Sequence, residues 1–399
     1  MTGIPYVPLF ATLAVQTLCT MAAYSMSVAA PAVAAELGIP GATIGLYTSL
    51  VYGFGMTSAI LSPGFIHRYG AVRVSQYCLL TAIAGLLVAA LGGTVALIAL
   101  SALAIGAGYG ATAPSSSHLL AKRTAPRIVN LVFSIRQTGV PLGGVCAGLA
   151  VPPLLLLAGW RGALLIEILP CLLLLIGLQL LRGDYDSDRD PARPLFRGGA
   201  FRPLRLILED AGLRRLSVIS FVYSGVQLCF MAFMVVYLTG RVGLDIVWAG
   251  RALAVYQIAG VLARILWGWL ADRFLSANIL LGALGLAAAL AALLTGAFGP
   301  DWPVAPILAV CALAGATASG FTGVAYAEYT RVAGPGRTAD ATGAGAFAMF
   351  FGVMTLPPLF GAVVGLTGSY AAAFDAAALL SAASGLLLLL PRRRAAAPG

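Results

Sequence analysis

The sequence predicts an all-α membrane protein whose twelve transmembrane helices form two pseudo-symmetric six-helix bundles. Three observations predict it. Apolar residues fill 60% of the 399 positions and charged residues 10%, against about 25% charged in a soluble globule. Between its polar interruptions the chain divides into about twelve apolar runs, each near the roughly 20 residues that cross a hydrocarbon core of about 30 Å. The longest polar interruption falls in the middle and leaves six runs on each side. A transmembrane barrel would need alternating strands of about ten residues, whereas these runs are continuous and rich in Leu, Ala and Gly.

In chain order, helix 1 is expected near 8–34; no basic residue precedes it and it exceeds a signal-peptide core, so it should stay as a span. Helix 2 (43–66) and helix 3 (73–93) are separated by HRYG, and helix 4 (95–120) is parted from helix 5 (129–157) by Lys122, Arg123 and Arg127. Helix 6 (161–182) completes an N-terminal bundle, 1–182. A linker at 183–214 carries alternating Asp184, Asp186, Asp188 and Asp190. Arg189 and Leu195 stand where a calcium loop needs Gly and Glu, so the stretch reads as a solvated loop; its later part, PLRLILEDAGLRR, suits a short amphipathic helix on the membrane surface. Helix 7 (215–239), helix 8 (247–270), helix 9 (276–298), helix 10 (303–328), helix 11 (340–366) and helix 12 (369–391) form a C-terminal bundle, 215–399, with a basic tail. Asp340 reads as the cap of helix 11.

Basic residues set the orientation. The loops joining even-numbered to odd-numbered helices, together with the tail, hold 19 of the 24 Lys and Arg residues. Both termini and the linker are therefore expected in the cytoplasm, in a multi-pass protein of the cell (inner) membrane. These charges are dispersed over several loops without stacking aromatics, which argues against a nucleic-acid partner. The six cysteines lie inside spans without metal-ligand spacing and read as packed thiols.

GWLADRF, residues 268–274, lies between helices 8 and 9, and HRYG, residues 67–70, stands at the matching place in the first half. The first of these resembles the loop signature of the major facilitator superfamily, and span number, central loop and repeat extend the resemblance over the whole chain. The resemblance implies a monomeric carrier that works by alternating access, with Gly268, Asp272 and Arg273 as gating residues. The physics stands beside it: a glycine lets two helices approach closely, and a carboxylate beside the next helix's N-terminus can accept its free donors. In the first half Pro63 and His67 take the glycine and aspartate positions.

Other motifs carry no chemistry. GAGYG (106–110) lacks the strand context of a dinucleotide site and reads as helix packing. Ser115, Ser116, Ser117 and His118 have no carboxylate nearby in sequence to make a hydrolase. GPGRTAD (334–340) lacks the lysine of a phosphate loop. No cofactor and no enzyme activity are expected.

Function then rests on polar groups at membrane depth, where a charge at a helix centre costs about 2.5–3.5 kcal/mol on insertion scales. Glu167, Asp375, Glu328 and Arg251 are close enough to helix ends to reach an interface. Arg136 and Arg264 are deeper, at about 13.5 Å and 12 Å by helical rise. Gln137 follows Arg136 directly, and Tyr24, Tyr109, Tyr223, Gln227 and Tyr256 supply a thin polar lining. The superfamily resemblance places helices 1, 4, 7 and 10 around the cavity and helices 5 and 8 against each other. The frame Arg264, Gly268, Asp272 further resembles monocarboxylate carriers, whose helix 8 arginine holds the carboxylate. Two arginines about 7 Å apart would repel by roughly 2 kcal/mol at an effective dielectric of 20, a cost that a bound carboxylate offsets. The expected substrate is a small organic anion, a monocarboxylate or a relative. The alternative is an exporter of hydrophobic compounds, suggested by GVPLGG (139–144), which resembles the helix 5 motif of antiporters. Proton coupling, counter-anion exchange and uniport all stay open.

Overall fold

The computed structural model describes residues 4–38, 43–196 and 199–389. Within them the chain is helical, without a strand. Helices 1 to 4 are Tyr6–Leu37, Thr43–Tyr69, Ala71–Leu91 and Val95–Ala121. Helical structure then runs through Val129–Gln137 and Gly139–Tyr185, interrupted at Gly159, whose φ of 67° and ψ of 176° are non-helical. Glycine takes that positive φ without a Cβ penalty, so it divides helix 5 from helix 6. Helices 7, 8 and 9 are Ala211–Gly240, Ile246–Arg273 and Ala277–Gly296. Helix 10 joins Val304–Ala314 to Thr322–Ala333 through a π-helical turn, Gly315–Ser319. Helices 11 and 12 are Thr338–Thr367 and Tyr370–Leu389.

Among the described residues eleven stretches are long and apolar enough to cross a membrane. One of them, Pro126–Tyr185, is 60 residues long and holds two crossings, one on each side of Gly159. The chain is a multi-pass membrane protein of twelve crossings, close to the spans its hydropathy predicts. Arg197 and Arg392 to Arg394, counted in the orientation argument, lie outside the described residues.

Polar side chains start several helices where backbone donors would otherwise be orphaned. Asp210 accepts from Gly212 and Leu213 at helix 7, and Asp245 from Val247 and Trp248 at helix 8. Asp340 departs from its expected capping place: Arg337 precedes helix 11, and Asp340 lies buried in its first turn. Arg202–Glu209 is the short helix expected in the linker, with Pro203 and Ile207 buried.

The glycines of GAGYG bring helix 4 against its neighbours. A Cβ on Gly106 would meet the Val51 carbonyl of helix 2 at 2.5 Å, and one on Gly108 the Cys78 carbonyl of helix 3 at 2.5 Å. One apolar core fills helices 1 to 4 and 6, and a smaller one joins helix 5 to helices 1 and 6. A third fills helices 7 to 12 and extends across to Val132 and Phe133 of helix 5. The seam between the bundles is tightest at the end of the molecule that carries the linker, called the basic face below. There helix 5 packs on helices 8 and 10, and helix 2 on helix 11. The described cysteines are unpaired thiols, five of the six buried.

Candidate functional site

Above this seam, between the bundles, lies a cavity of about 100 Å³. Its wall is aromatic and amide-rich: Tyr24, Tyr52, Tyr109, Gln137 and Gln227 line it, with Phe350 reaching in from helix 11. Tyr52, Tyr109 and Phe350 touch one another, their ring centroids 5.6–5.9 Å apart. The hydroxyls of Tyr24 and Tyr52 are 3.1 Å apart. One charged side chain lines the cavity, Arg264, and no acid is among the lining residues.

The two deep arginines converge on Gln137 by different routes. Arg264, 2% exposed, donates from Nη1 to the Gln137 carbonyl at 2.7 Å, from Nε to the Ser319 carbonyl at 3.0 Å and from Nη2 to Ser319 Oγ at 3.1 Å. A guanidinium carries five N–H groups. Three are used, so one N–H remains on each terminal nitrogen, a spacing that suits the two oxygens of a carboxylate.

Arg136, 1% exposed, is not on the wall. Its Nη2 donates to Gln16 Oε1 at 2.7 Å and to the Thr112 carbonyl at 2.9 Å, and its Nη1 donates to Gln137 Oε1. Thr112 also donates to Gln16 Oε1 at 2.9 Å. Arg136 therefore fixes two of the three amides that line the cavity, Gln16 and Gln137.

The remaining sequence candidates divide. Tyr24, Tyr109 and Gln227 line the cavity. Tyr223 does not: its hydroxyl donates to the Leu281 carbonyl of helix 9 at 3.0 Å, in space left by Gly285. Tyr256 is buried behind the wall and donates to the Gln227 carbonyl at 3.2 Å. Glu328 is buried and paired with Arg331, Asp375 and Arg251 are exposed, and Glu167 is buried rather than at an interface.

Asp272 ends helix 8 on the far bundle. Its Oδ1 accepts from the Asn130 amide at 3.0 Å and Asn130 Nδ2 at 2.8 Å, and its Oδ2 accepts from the Leu131 amide at 2.8 Å. The helix whose free donors it satisfies is helix 5, across the seam, rather than the next helix in the chain. Gly268 allows this approach, since a Cβ there would sit 2.6 Å from Ser134 Oγ and 2.7 Å from the Asn130 carbonyl. Arg273 is exposed beside Asp272.

At the matching contact between helices 2 and 11 the charges are exchanged. His67 stands on helix 2, and the acid, Asp340, comes from helix 11. Asp340 Oδ2 is 3.6 Å from His67 Nε2 and 3.8 Å from Arg202 of the linker helix.

Two of the four alternating linker aspartates, Asp186 and Asp188, are bound, while Asp184 and Asp190 are exposed as expected of a solvated loop. Asp186 accepts from the Val72 and Arg73 amides at 2.8 and 2.9 Å, capping helix 3 from a distance, and burial pushes its carboxyl up against the pull of those donors. Asp188 pairs with His118 at 2.7 Å and with Lys122. The hydrogen bond from His118, with Lys122 adding to it, holds the Asp188 carboxyl well below the usual range. So His118 does have a carboxylate in space, but Ser116 donates to main-chain carbonyls rather than to the histidine. Among the described residues no cluster of His, Cys, Asp or Glu could hold a metal ion.

Sequence reasoning missed Tyr52, Phe350 and Ser319 as site residues. Ser319 closes the π turn of helix 10, a deviation that often marks functional sites. The wide turn presents its carbonyl to Arg264 and that of Ala316 to Trp267 Nε1 at 2.7 Å. The small-residue run GATASG (315–320) is the signal that was available.

The sequence profile of the Major Facilitator Superfamily matches residues 12–353, with a second match at 252–399. The chain is 27% identical over 281 residues to the 4-hydroxybenzoate transporter PcaK of Pseudomonas aeruginosa, a match spanning 63% of this chain and 62% of that one. Among solved structures, the fucose:proton symporter FucP of E. coli superposes with a TM-score of 0.76 at 17% identity, over 96% of this chain and 98% of that one. The human organic anion transporter MFSD10 superposes with a TM-score of 0.74 at 17% identity, over 97% and 100%.

Proposed function

The chain belongs to the Major Facilitator Superfamily and is a secondary transporter, and on that premise we propose that it carries a small organic anion, a monocarboxylate with an aromatic or apolar body. One observation carries the reading: among the described residues the cavity's single charge is a guanidinium with one free N–H on each terminal nitrogen, in a wall shared with aromatic rings and no acid. A carboxylate would take the fork, and its body would lie against Tyr52, Tyr109 and Phe350. Similarity to a 4-hydroxybenzoate transporter supports the same class.

In this reading Arg264 is the substrate-binding charge, Arg136 positions Gln16 and Gln137, and Asp272 with Gly268 is the gate on the basic face. The bundles 1–182 and 215–399 rock about the cavity, tied by the 183–214 linker. The basic face is cytoplasmic, since arginine-rich loops stay on that side, and the membrane is the cell's inner one. The contact of Asp272 with helix 5 closes the cytoplasmic end, and breaking it opens the cavity inward.

Uptake of radiolabelled 4-hydroxybenzoate, benzoate and lactate into proteoliposomes tests this. Saturable uptake of the aromatic acids is expected. Failure with every acid, together with extrusion of hydrophobic compounds, would replace the reading with the exporter that GVPLGG suggests.

A further inference from the structure

Glu167 lies in helix 6, seven residues past Trp160, about 10.5 Å along the axis. Its side chain is turned into the first bundle and is 2% exposed, and neither carboxylate oxygen has a hydrogen-bond partner. The neighbouring groups are hydroxyls and a thiol, and none is charged. Ser25 of helix 1 faces it, its hydroxyl placed between the Met21 carbonyl at 2.8 Å and the carboxyl. Tyr47 of helix 2 shares its hydroxyl with Ser101 of helix 4 at 3.2 Å. Cys171 stands one turn further along helix 6. Among the described residues no cation faces the carboxyl. Arg161, on the same helix, is held by Glu36 and the Gly92 carbonyl and stacks on Trp160. The other buried acids differ: Glu328 has Arg331, Asp340 has His67 and Arg202 nearby, and Asp186 has two amides.

A carboxylate buried there has no cation and no more than a serine hydroxyl to hold its charge, whereas the neutral acid removes the charge. We propose that Glu167 is a proton-binding site of this carrier, loaded in the arrangement seen here and emptied when helix 1 shifts against helix 6. The step is one O–H bond made from a proton of the water on one side of the membrane and broken to the water on the other. Helix 1 links it to the cavity through consecutive residues: Tyr24 lines the cavity and Ser25 faces Glu167. One proton moving with one monocarboxylate makes the cycle electroneutral. The coupling rests on the carrier reading of the cavity, but the protonation does not.

The test uses the full-length protein in lipid, titrated through neutral pH by infrared difference spectroscopy. Wild type should show a protonated-carboxyl band at neutral pH that Glu167→Gln, which has the shape of the neutral acid, lacks. Absence of the band in wild type, or its persistence unchanged in the variant, overturns the site. In proteoliposomes the variant should keep exchange of labelled for unlabelled 4-hydroxybenzoate and lose accumulation driven by a pH gradient. Accumulation equal to wild type would overturn the coupling. A band lost in the variant while neither protein moves any acid upholds the proton site and rejects the cavity's assignment instead.

Discussion

Replacing Asp272 by asparagine keeps the shape of the side chain and removes its charge and one of its two acceptor oxygens. Asp272 accepts three hydrogen bonds from Asn130 and Leu131, at the N-terminal end of helix 5. Bonds to charged groups are worth about 1.5–3 kcal/mol against about 0.5–1.5 for neutral ones, and a negative charge at a helix start adds about 0.3–1 kcal/mol. The amide must also turn its NH₂ toward a donor. Because Asp272 is only partly buried, solvent screens part of this, and a net loss of about 2 kcal/mol is expected, roughly 30-fold in an equilibrium. On the proposed gating role the contact is made only while the basic face is closed, so the loss should fall on the balance between states and not on insertion or folding. Spin labels at Pro126 and Phe274, both exposed on that face, should report a larger share of long distances in the variant. Protein accumulation should be normal and turnover slow. An unchanged distance distribution with wild-type turnover would reduce Asp272 to an ordinary helix cap.

Three further outcomes follow from the same geometry. Gly268→Ala should disfavour the closed face, because its Cβ would press on Ser134 and on the Asn130 carbonyl, and Ser134→Gly should restore the closed-state distance only in part in the double variant. Arg136→Lys should lower both thermal stability and affinity, since an ammonium cannot reach Gln16, Gln137 and the Thr112 carbonyl together; a melting temperature and uptake equal to wild type would contradict this. The carboxyl of Asp188 is held low, so its clasp on His118 and Lys122 is fully present above the ordinary aspartate value of about 4 and is lost as pH falls through its lower folded value. Proteolysis at Arg193 should therefore be unchanged between weakly acidic and neutral pH in wild type and faster at neutral pH in Asp188→Asn.

The twelve crossings were legible because bilayer thickness forces long apolar runs, and the choice of helix over barrel followed from their continuity. What a side chain four residues along will reach was not. Tyr223 and Gln227 share a helix face by spacing, yet Gly285 leaves an opening that takes the tyrosine hydroxyl to helix 9 while the glutamine reaches Ser319. Asp186 and Asp188 looked solvated, as Asp184 and Asp190 are, because the sequence does not show that the start of helix 3 and His118 come to meet them. Likewise His67 is a missing acid when read alone. Only the packing of helix 2 on helix 11 brings Asp340 to it. The π turn depends on how helix 10 packs against helix 8, where a Cβ on Gly315 would press on the Tyr256 main chain, and local pattern carries no signal for it beyond small residues.

The central claim is that the free N–H pair of Arg264 holds a carboxylate. Equilibrium binding of labelled 4-hydroxybenzoate to the purified protein, competed with unlabelled acid and with its neutral amide, tests it most directly. The acid should compete and the amide should not. Arg264→Lys, which loses the planar fork but keeps the charge, should weaken binding by about 10-fold or more, the equivalent of one charged hydrogen bond. Equal competition by the amide, or unchanged affinity in Arg264→Lys, would contradict it.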